Sequence, residues 1–432
     1  MKKINVGLVG FGTVGSGVVE VLQAQKKVLK NLTGLDIDLK YICDKDITSN
    51  RGIKVNKRVL TKDLKKVLNN SEIDIVVELI GGIHPANEII LAALKNKKHV
   101  VTANKALLAE NGSEIFRTAK MSKREVRFEG SVGAGIPIIK ALREGFAANK
   151  ITAIYGIING TSNYILSRMS DEGCTFGFAL KAAKKMGVAE ANPRLDINGA
   201  DSAHKLILLT ELSFGVSAKM RQVYCEGILA IEPRDIKYAR EMGYAIKLLG
   251  VAKRSGNKVE VRVHPTLVPV SHLLANVKGV YNAIYVKGDL IGETLLYGEG
   301  AGKYPTASAV VSDIIDLAKL IGEGNAPQTA MLKATHSPIL TIRKMEETKC
   351  RYYIRFSAVD KPGVLASISG ILAKSDISIS HVTQKEQHRE KVVPIVMMTH
   401  LAQERNLRKA LKLIDKLPAI KKKTVAVRME SL

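Results

Sequence analysis

A chain of 432 residues is too long for one ordinary hydrophobic core, so two or three domains are expected. Its hydrophobic content of 46% is that of a globular chain, and no apolar run approaches the ~20 residues that a membrane span needs. The formal net charge is +25, but the lysines are scattered, only Lys421-Lys422-Lys423 forms a run, and no zinc-finger or RNA-binding signature accompanies them. A solvated basic surface is therefore expected, with neither nucleic acid nor membrane as a partner. Cys43, Cys174, Cys225 and Cys350 are far apart and form no CxxC pair, which argues against a zinc site or a disulfide framework and suits a reduced, cytoplasmic setting. The opening Met1-Lys2-Lys3 has the basic start of a signal peptide, yet Gly7, Gly10, Gly12 and Gly15 interrupt the apolar run and no cleavage site ends it.

Residues 3–9 read as a buried strand. Gly10-Phe11-Gly12-Thr13-Val14-Gly15 follows at once, and Val14, Val18, Val19 and Leu22 mark a helix. Strand, Gly-x-Gly-x-x-Gly and helix in that order form the dinucleotide fingerprint. Gly10 permits the tight turn, Gly12 lets backbone approach a pyrophosphate, and Gly15 lets helix pack on strand. The helix start turns its partial positive charge to the phosphates. A second strand is predicted over 37–43, ending at Asp44, whose carboxylate suits the ribose hydroxyls of NAD. Lys45 and Arg51 lie just beyond and suit a 2′-phosphate, so NAD and NADP both remain open. A further strand over 73–80, capped by Gly81-Gly82, and a helix over 85–95 lead to Thr102-Ala-Asn104-Lys105. Lys105 falls at the carboxyl end of a strand, where open α/β sheets bind ligands; a loop lysine in solvent is the other reading.

Glu129 closes another strand ahead of Gly130-Ser-Val132-Gly-Ala134-Gly-Ile136-Pro137. One carboxylate with several carbonyl oxygens is a donor set for a hard cation, and a plain turn between domains is the alternative. Residues 151–158 read as a strand, and Asn159-Gly160-Thr161-Ser162-Asn163 as a polar turn before a helix over 164–169. Such a helix start offers N–H groups to a substrate carboxylate. The stretch from Glu190 to Lys205 gathers Glu190, Asp196, Asp201 and Lys205 around an Asn-Pro loop. Asp201 is placed at a helix N-cap, and Lys205 projects from the same face four residues on. A lysine beside carboxylates is a candidate proton donor; the plainer reading is an exposed ion pair worth ~0.2–0.5 kcal/mol. Strands rich in β-branched residues over 258–268 and 283–286 predict a mixed sheet with helices on one side. After the Gly298-Glu-Gly300-Ala-Gly302 turn, a helix with Pro305 near its start is expected to return to the nucleotide domain.

With these parts in order, the first ~325 residues resemble homoserine dehydrogenase, a span set by the motif positions. The family signature appears as Ala183, Gly187, Asn192-Pro193, Asp196, Gly199, Asp201 and Lys205, with the glycine turn, Thr102 to Lys105, the Glu129–Ile136 turn and Asn159-Gly160-Thr161 matching in order. The resemblance implies reversible NAD(P)H-dependent reduction of L-aspartate 4-semialdehyde to L-homoserine. Under it, Lys205 looks like the proton donor, and Lys105 the lysine at the nicotinamide end of the cofactor. Glu190 resembles the homoserine-binding carboxylate, Asp196 and Asp201 flank the substrate, and Gly160 and Thr161 join them. Gly10 to Gly15, Asp44, Lys105 and Gly300 would bind NAD(P), with NADP the guess. Glu129, Val132, Ala134 and Ile136 resemble sodium ligands, the last three through main-chain oxygens. Two positions depart from the pattern: Asn192 stands where many members carry Asp, and Ala134 where many carry Gly. Alternatives are a related Rossmann oxidoreductase on another amino-acid carbonyl, or a non-catalytic amino-acid sensor.

The C-terminal third reads as a linker over 326–350 and then strand, helix, two strands, helix, strand, the ferredoxin-like βαββαβ order. With Asp360-Lys-Pro-Gly-Val-Leu-Ala it resembles an ACT domain, which implies an amino-acid effector, L-threonine in this family, and a homodimer or homotetramer. The expected fold is α/β: a Rossmann dinucleotide-binding domain (1–130 with 305–325), an α+β substrate and dimerisation domain with a mixed sheet (131–304), the linker, and a ferredoxin-like ACT domain (351–432).

Overall fold

The apolar residues of Lys3–Val9 form the central strand of a six-stranded sheet, whose order is Leu60–Thr61, Asp36–Cys43, Lys3–Val9, Ile75–Glu78, His99–Thr102, Val126–Arg127. All five pairings are parallel. Strands covered on both faces carry continuous apolar runs, which is why Ile75–Glu78 and His99–Thr102 are buried throughout. Strand order reverses between Lys3–Val9 and Ile75–Glu78, and the crevice at such a switch point is where doubly wound sheets take ligands. The computed structural model describes residues 2–324, 340–385, 392–430 and 432.

The chain divides into two units. The first comprises Met1–Ile154, His204–Met220 and Asn282–Leu340, so it holds more than the expected 1–130 with 305–325. Within it, the helix Lys303–Glu323 lays Ala307, Val310, Val311, Ile314, Leu317 and Ala318 into the same core as Ile4, Val6 and Leu8. Lys303 at its start pairs with Glu20 at 2.6 Å. Among the described residues no helix is long and apolar enough to cross a membrane.

The second unit comprises Tyr155–Ala203, Arg221–Tyr281 and Thr341–Leu432. A long antiparallel hairpin pairs Tyr244–Ser255 with Lys258–Pro269, and its sheet continues through Ile420–Met429, Lys349–Val359, Val392–Thr399 and Ile379–Thr383. These last four strands, with helices Val364–Lys374 and Glu404–Ile414, form a ferredoxin-like fold around Tyr352, Ile354, Phe356, Ile368, Leu372 and Leu407. Its last strand is joined in parallel to the hairpin, Arg428 opposite Thr266 and Met429 opposite Leu267. Of the expected linker, 326–339 lies outside the described residues. The rest is ordered: Thr341–Ile342 pairs with Lys258–Val259, and Lys349 opens a strand.

Three local expectations are corrected. The helix expected over 164–169 runs Gly160–Glu172, because the Asn159 side chain caps it through the Ser162 N–H. Asp201 is not the N-cap: the helix Ala200–Phe214 begins one residue earlier, after Gly199 at φ +86, and holds Asp201 in its first turn. Lys105 is no loop residue but the first residue of the helix Lys105–Ser122, capped by Asn104.

Candidate active site

In the first unit the glycine turn is built by close approaches. Gly10 has φ +103, and a Cβ there would lie 2.6 Å from the Leu79 carbonyl carbon. A Cβ on Gly15 would lie 2.0 Å from the Gly10 oxygen, so the helix Thr13–Ala24 can sit against the strand only without a side chain. Gly12 faces open space. Around it runs a cleft of about 510 Å³ lined by Gly10, Gly12, Asp44, Lys45, Lys62 and Gly81 among others. The Asp44 carboxylate accepts the Phe11 N–H at 2.5 Å and the Asp46 N–H at 2.8 Å, which ties the second strand's end to the turn. Thr13 and Val14 open the helix beyond. Arg51, one of two candidates for a 2′-phosphate, is turned to Asp46 at 3.0 Å. Lys62 lines the cleft beside Lys45 instead.

Across the switch point, buried Glu78 accepts the N–H groups of Ile80 and Gly81 on one oxygen and the Thr102 hydroxyl on the other. Asn104 donates to the Gly82 carbonyl at 2.6 Å and accepts the Leu107 N–H. These bonds set where the helix begins, and so where Lys105 stands.

Glu129 is buried beside Asp313, whose carboxylate accepts the Glu129 N–H at 2.8 Å. The Glu129 carboxylate itself accepts the N–H groups of Ile139 and Lys140, both at 2.8 Å. Burial pushes Glu129 up to about 7 against those two bonds, and burial with the Glu129 charge pushes Asp313 up to about 8. Val132, Ala134 and Ile136 are buried alongside in sequence, and Ala134 has φ +44, the left-handed region that favours glycine. Two desolvated carboxyls next to a turn of carbonyls are an all-oxygen donor set, so the residues fit a hard cation. No group of three His, Cys, Asp or Glu side chains among the described residues is arranged as a metal cage. Gly300 packs on the buried Asn282 amide, which a Cβ would overlap.

In the second unit Asn159 joins the substrate carboxylates. Its Nδ2 donates to Asp196 at 2.7 Å and to Asp201 at 2.9 Å, while its oxygen caps the helix Gly160–Glu172. Ser162 donates its hydroxyl to the Asp196 carbonyl at 2.8 Å. Thr161 donates to the Val188 carbonyl at 2.9 Å, and Gly160 leaves its Cβ space to the Val280 carbonyl. Asp201 is buried, Asp196 half-buried, and Glu190 stands on exposed coil. The continuous helix Ala200–Phe214 carries Asp201 and buried Lys205 one turn apart, which excludes the reading of an exposed surface pair. Sequence reasoning passed over Glu78, Lys62 and Asp313, and it placed Asn104 and Asn159 in their motifs without their bonding tasks. Both asparagines left a signal as capping residues before helical patterns.

A parallel sheet with a glycine turn at its switch point suits a dinucleotide, and a buried lysine one helical turn from Asp201 suits acid–base chemistry; these are the parts of a nicotinamide-dependent oxidoreductase. Family models match over residues 10–129 (homoserine dehydrogenase, NAD binding domain), 137–315 (homoserine dehydrogenase) and 352–419 (ACT domain). A homoserine dehydrogenase of Neisseria gonorrhoeae is 45% identical over 100% of both chains. The crystal structure of a homoserine dehydrogenase from Thiobacillus denitrificans superposes with a TM-score of 0.92 at 45% identity, covering 100% of this chain and 99% of that one. A hyperthermophilic archaeal homoserine dehydrogenase in complex with NADPH matches 73% of this chain and 97% of its own, with a TM-score of 0.61 and 26% identity. The chain belongs to the homoserine dehydrogenase family: it is an NAD(P)-dependent oxidoreductase with a C-terminal ACT domain.

Proposed function

We propose that the catalytic and binding roles fall on the following residues. Lys205 gives a proton to the carbonyl oxygen of L-aspartate 4-semialdehyde as L-homoserine forms, and takes it back in the reverse direction. Asp196, Asp201 and Glu190 hold the substrate's ammonium group, Gly160 and Thr161 complete its binding, and Lys105 orients the nicotinamide end of the cofactor. The nicotinamide cofactor, when bound, supplies or accepts the hydride. As negative charge grows on the carbonyl oxygen, a positioned ammonium both stabilises it and supplies the proton. The observation that carries this reading is the Asn159 bridge between Asp196 and Asp201, one helical turn from Lys205. It fixes two negative charges where an amino-acid ammonium would bind.

The cofactor is held by Gly10, Phe11, Gly12, Thr13, Val14, Gly15 and Asp44, with Gly300 closing the set. NADP is preferred: Lys45 and Lys62 line the cleft, and a lysine pair suits a 2′-phosphate. Glu129 with the carbonyls of Val132, Ala134 and Ile136 would hold sodium, which would offset the carboxylate charge there. The ACT domain takes L-threonine as effector, and its edge strand Ile379–Thr383, with Ser380, His381 and Val382 exposed, suits pairing with a second copy into a homodimer or homotetramer. The enzyme works in the cytoplasm. Steady-state oxidation of L-homoserine with NAD and NADP in parallel tests the reading. Turnover with a higher kcat/KM for NADP supports it; no turnover with either cofactor contradicts it. Threonine titration of the same assay in the full chain should lower the rate, and an unchanged rate contradicts the effector.

A further inference from the structure

The segment Tyr224 to Ile228 has no part in the fingerprint or the signature, yet it backs directly onto the substrate loop. On one side Tyr224–Cys225 pairs with Arg262–Val263 of the long hairpin, and the Glu226 N–H donates to the Val263 carbonyl at 2.8 Å. On the other, the Ile228 N–H donates to the Ile197 carbonyl at 2.9 Å, and the Cys225 thiol lies 3.3 Å from the Asn198 carbonyl. A Cβ on Gly227 would fall 2.1 Å from the Ile197 oxygen. Ile197 to Ala200 is the short stretch between Asp196 and Asp201, so a displacement of this backing bears on the spacing of the two aspartates.

What holds the backing is an ion-pair network, half-buried at Glu226 and Tyr224 and buried at Arg428 and Glu404, whose other half belongs to the C-terminal domain. Glu226 Oε2 accepts from the Tyr224 hydroxyl at 2.6 Å and from Arg428 Nη1 at 2.7 Å. Arg428 Nη2 donates to the Tyr224 hydroxyl at 2.9 Å, and the guanidinium lies 4.6 Å from the Tyr224 ring centre. Arg428 is held in turn by Glu404, which also accepts the Tyr352 hydroxyl and Arg408 Nε. Arg428 and Glu404 are buried, and a planar guanidinium shared between two carboxylates fixes direction as well as charge.

We propose that Glu226 is a positioning residue for the substrate loop, and that Arg428 of the C-terminal domain holds it there. The ACT domain is then a structural member of the substrate site as well as a sensor. This rests on the reading of Asp196 and Asp201 as substrate-binding groups. Removing the charge at Glu226 frees the backing to shift, and the shift passes through Ile197 to the spacing of the two aspartates.

The test compares wild type, Glu226→Gln, Arg428→Lys, their double variant and Tyr224→Phe in the full chain, reading kcat, KM for L-homoserine, KM for the cofactor, and Tm. The expected result for Glu226→Gln is a rise of about fivefold or more in KM for homoserine, as for loss of a charged hydrogen bond, with cofactor KM unchanged. Arg428→Lys gives a smaller rise, since one ammonium keeps the charge but not the fork, and the double variant is no worse than Glu226→Gln alone, as residues acting through one contact are non-additive. If Glu226→Gln does not fold, Tyr224→Phe tests the same link by removing one hydroxyl, with the same direction expected. A wild-type KM for homoserine in the folded variants overturns the proposal, as does an equal rise in both KM values. Wild-type enzyme that fails to oxidise homoserine overturns the functional reading itself, which keeps the two failures apart.

Discussion

The main-chain N–H of Phe11 donates to the carboxylate of Asp44 across 2.5 Å, so the acid that ends the second strand is also the clasp of the glycine turn. Asp44 therefore works before any ribose arrives. The two glycines that follow that clasp have separable tasks. Gly12→Ala should leave the fold intact and raise cofactor KM, because its side chain enters open space where the pyrophosphate approaches. Gly15→Ala should unfold the domain, because its Cβ meets the Gly10 oxygen at 2.0 Å. Lys62→Ala should raise KM for NADP by about tenfold, as expected for loss of a charge-assisted bond, and leave KM for NAD nearly unchanged. Parallel kinetics and melting curves check all three.

Asn159 has two tasks that substitution can separate. Asn159→Ser keeps an oxygen to cap the Gly160–Glu172 helix but cannot reach both aspartates. It should hold Tm and raise KM for homoserine about tenfold. Asn159→Ala loses the cap as well and should cost a further ~1 kcal/mol of stability. A serine variant with unchanged homoserine KM would show that the bridge between Asp196 and Asp201 is not needed for binding.

The Glu129–Asp313 pair makes stability depend on pH in a direction opposite to an ordinary ion pair. Both carboxyls titrate higher in the folded chain, about 7 and about 8, than in the unfolded one, so the folded state holds the extra protons between pH ~4 and ~8. Their contribution is fully present below the unfolded values and is lost as pH rises through the folded ones. In buffers of a bulky organic cation, Tm should fall from pH 5 to pH 8. Sodium chloride should restore it at pH 8 and not at pH 5, and Glu129→Gln should remove the share due to Glu129 while leaving the part that burial gives Asp313. A sodium response equal at both pH values would contradict a cation site at Glu129.

How much of this was legible in the residues differs by element. The glycine turn was readable because each glycine answers a separate steric demand within six residues. The ferredoxin-like order of the C-terminal third was readable from the alternation of its strands. The start of the Lys105 helix was harder to place, since Asn104 suits a loop as well as a cap until its side chain is seen capping Leu107. The Glu129–Asp313 and Glu226–Arg428 pairs join residues 184 and 202 positions apart, and no local pattern announces such a partner. Lys62 was passed over for Arg51 because only the folded strand ends show which cation faces the cleft and which is spent on Asp46.

Proton transfer by buried Lys205 is the proposed role on which the other residue roles depend. It is tested most directly by the kcat of Lys205→Ala for homoserine oxidation, with cofactor binding measured on the same preparation. The expected result is a loss of at least ~10² in kcat with cofactor affinity nearly intact, the range for removal of a general acid–base group. Turnover near the wild-type rate in a folded, cofactor-binding variant would contradict it.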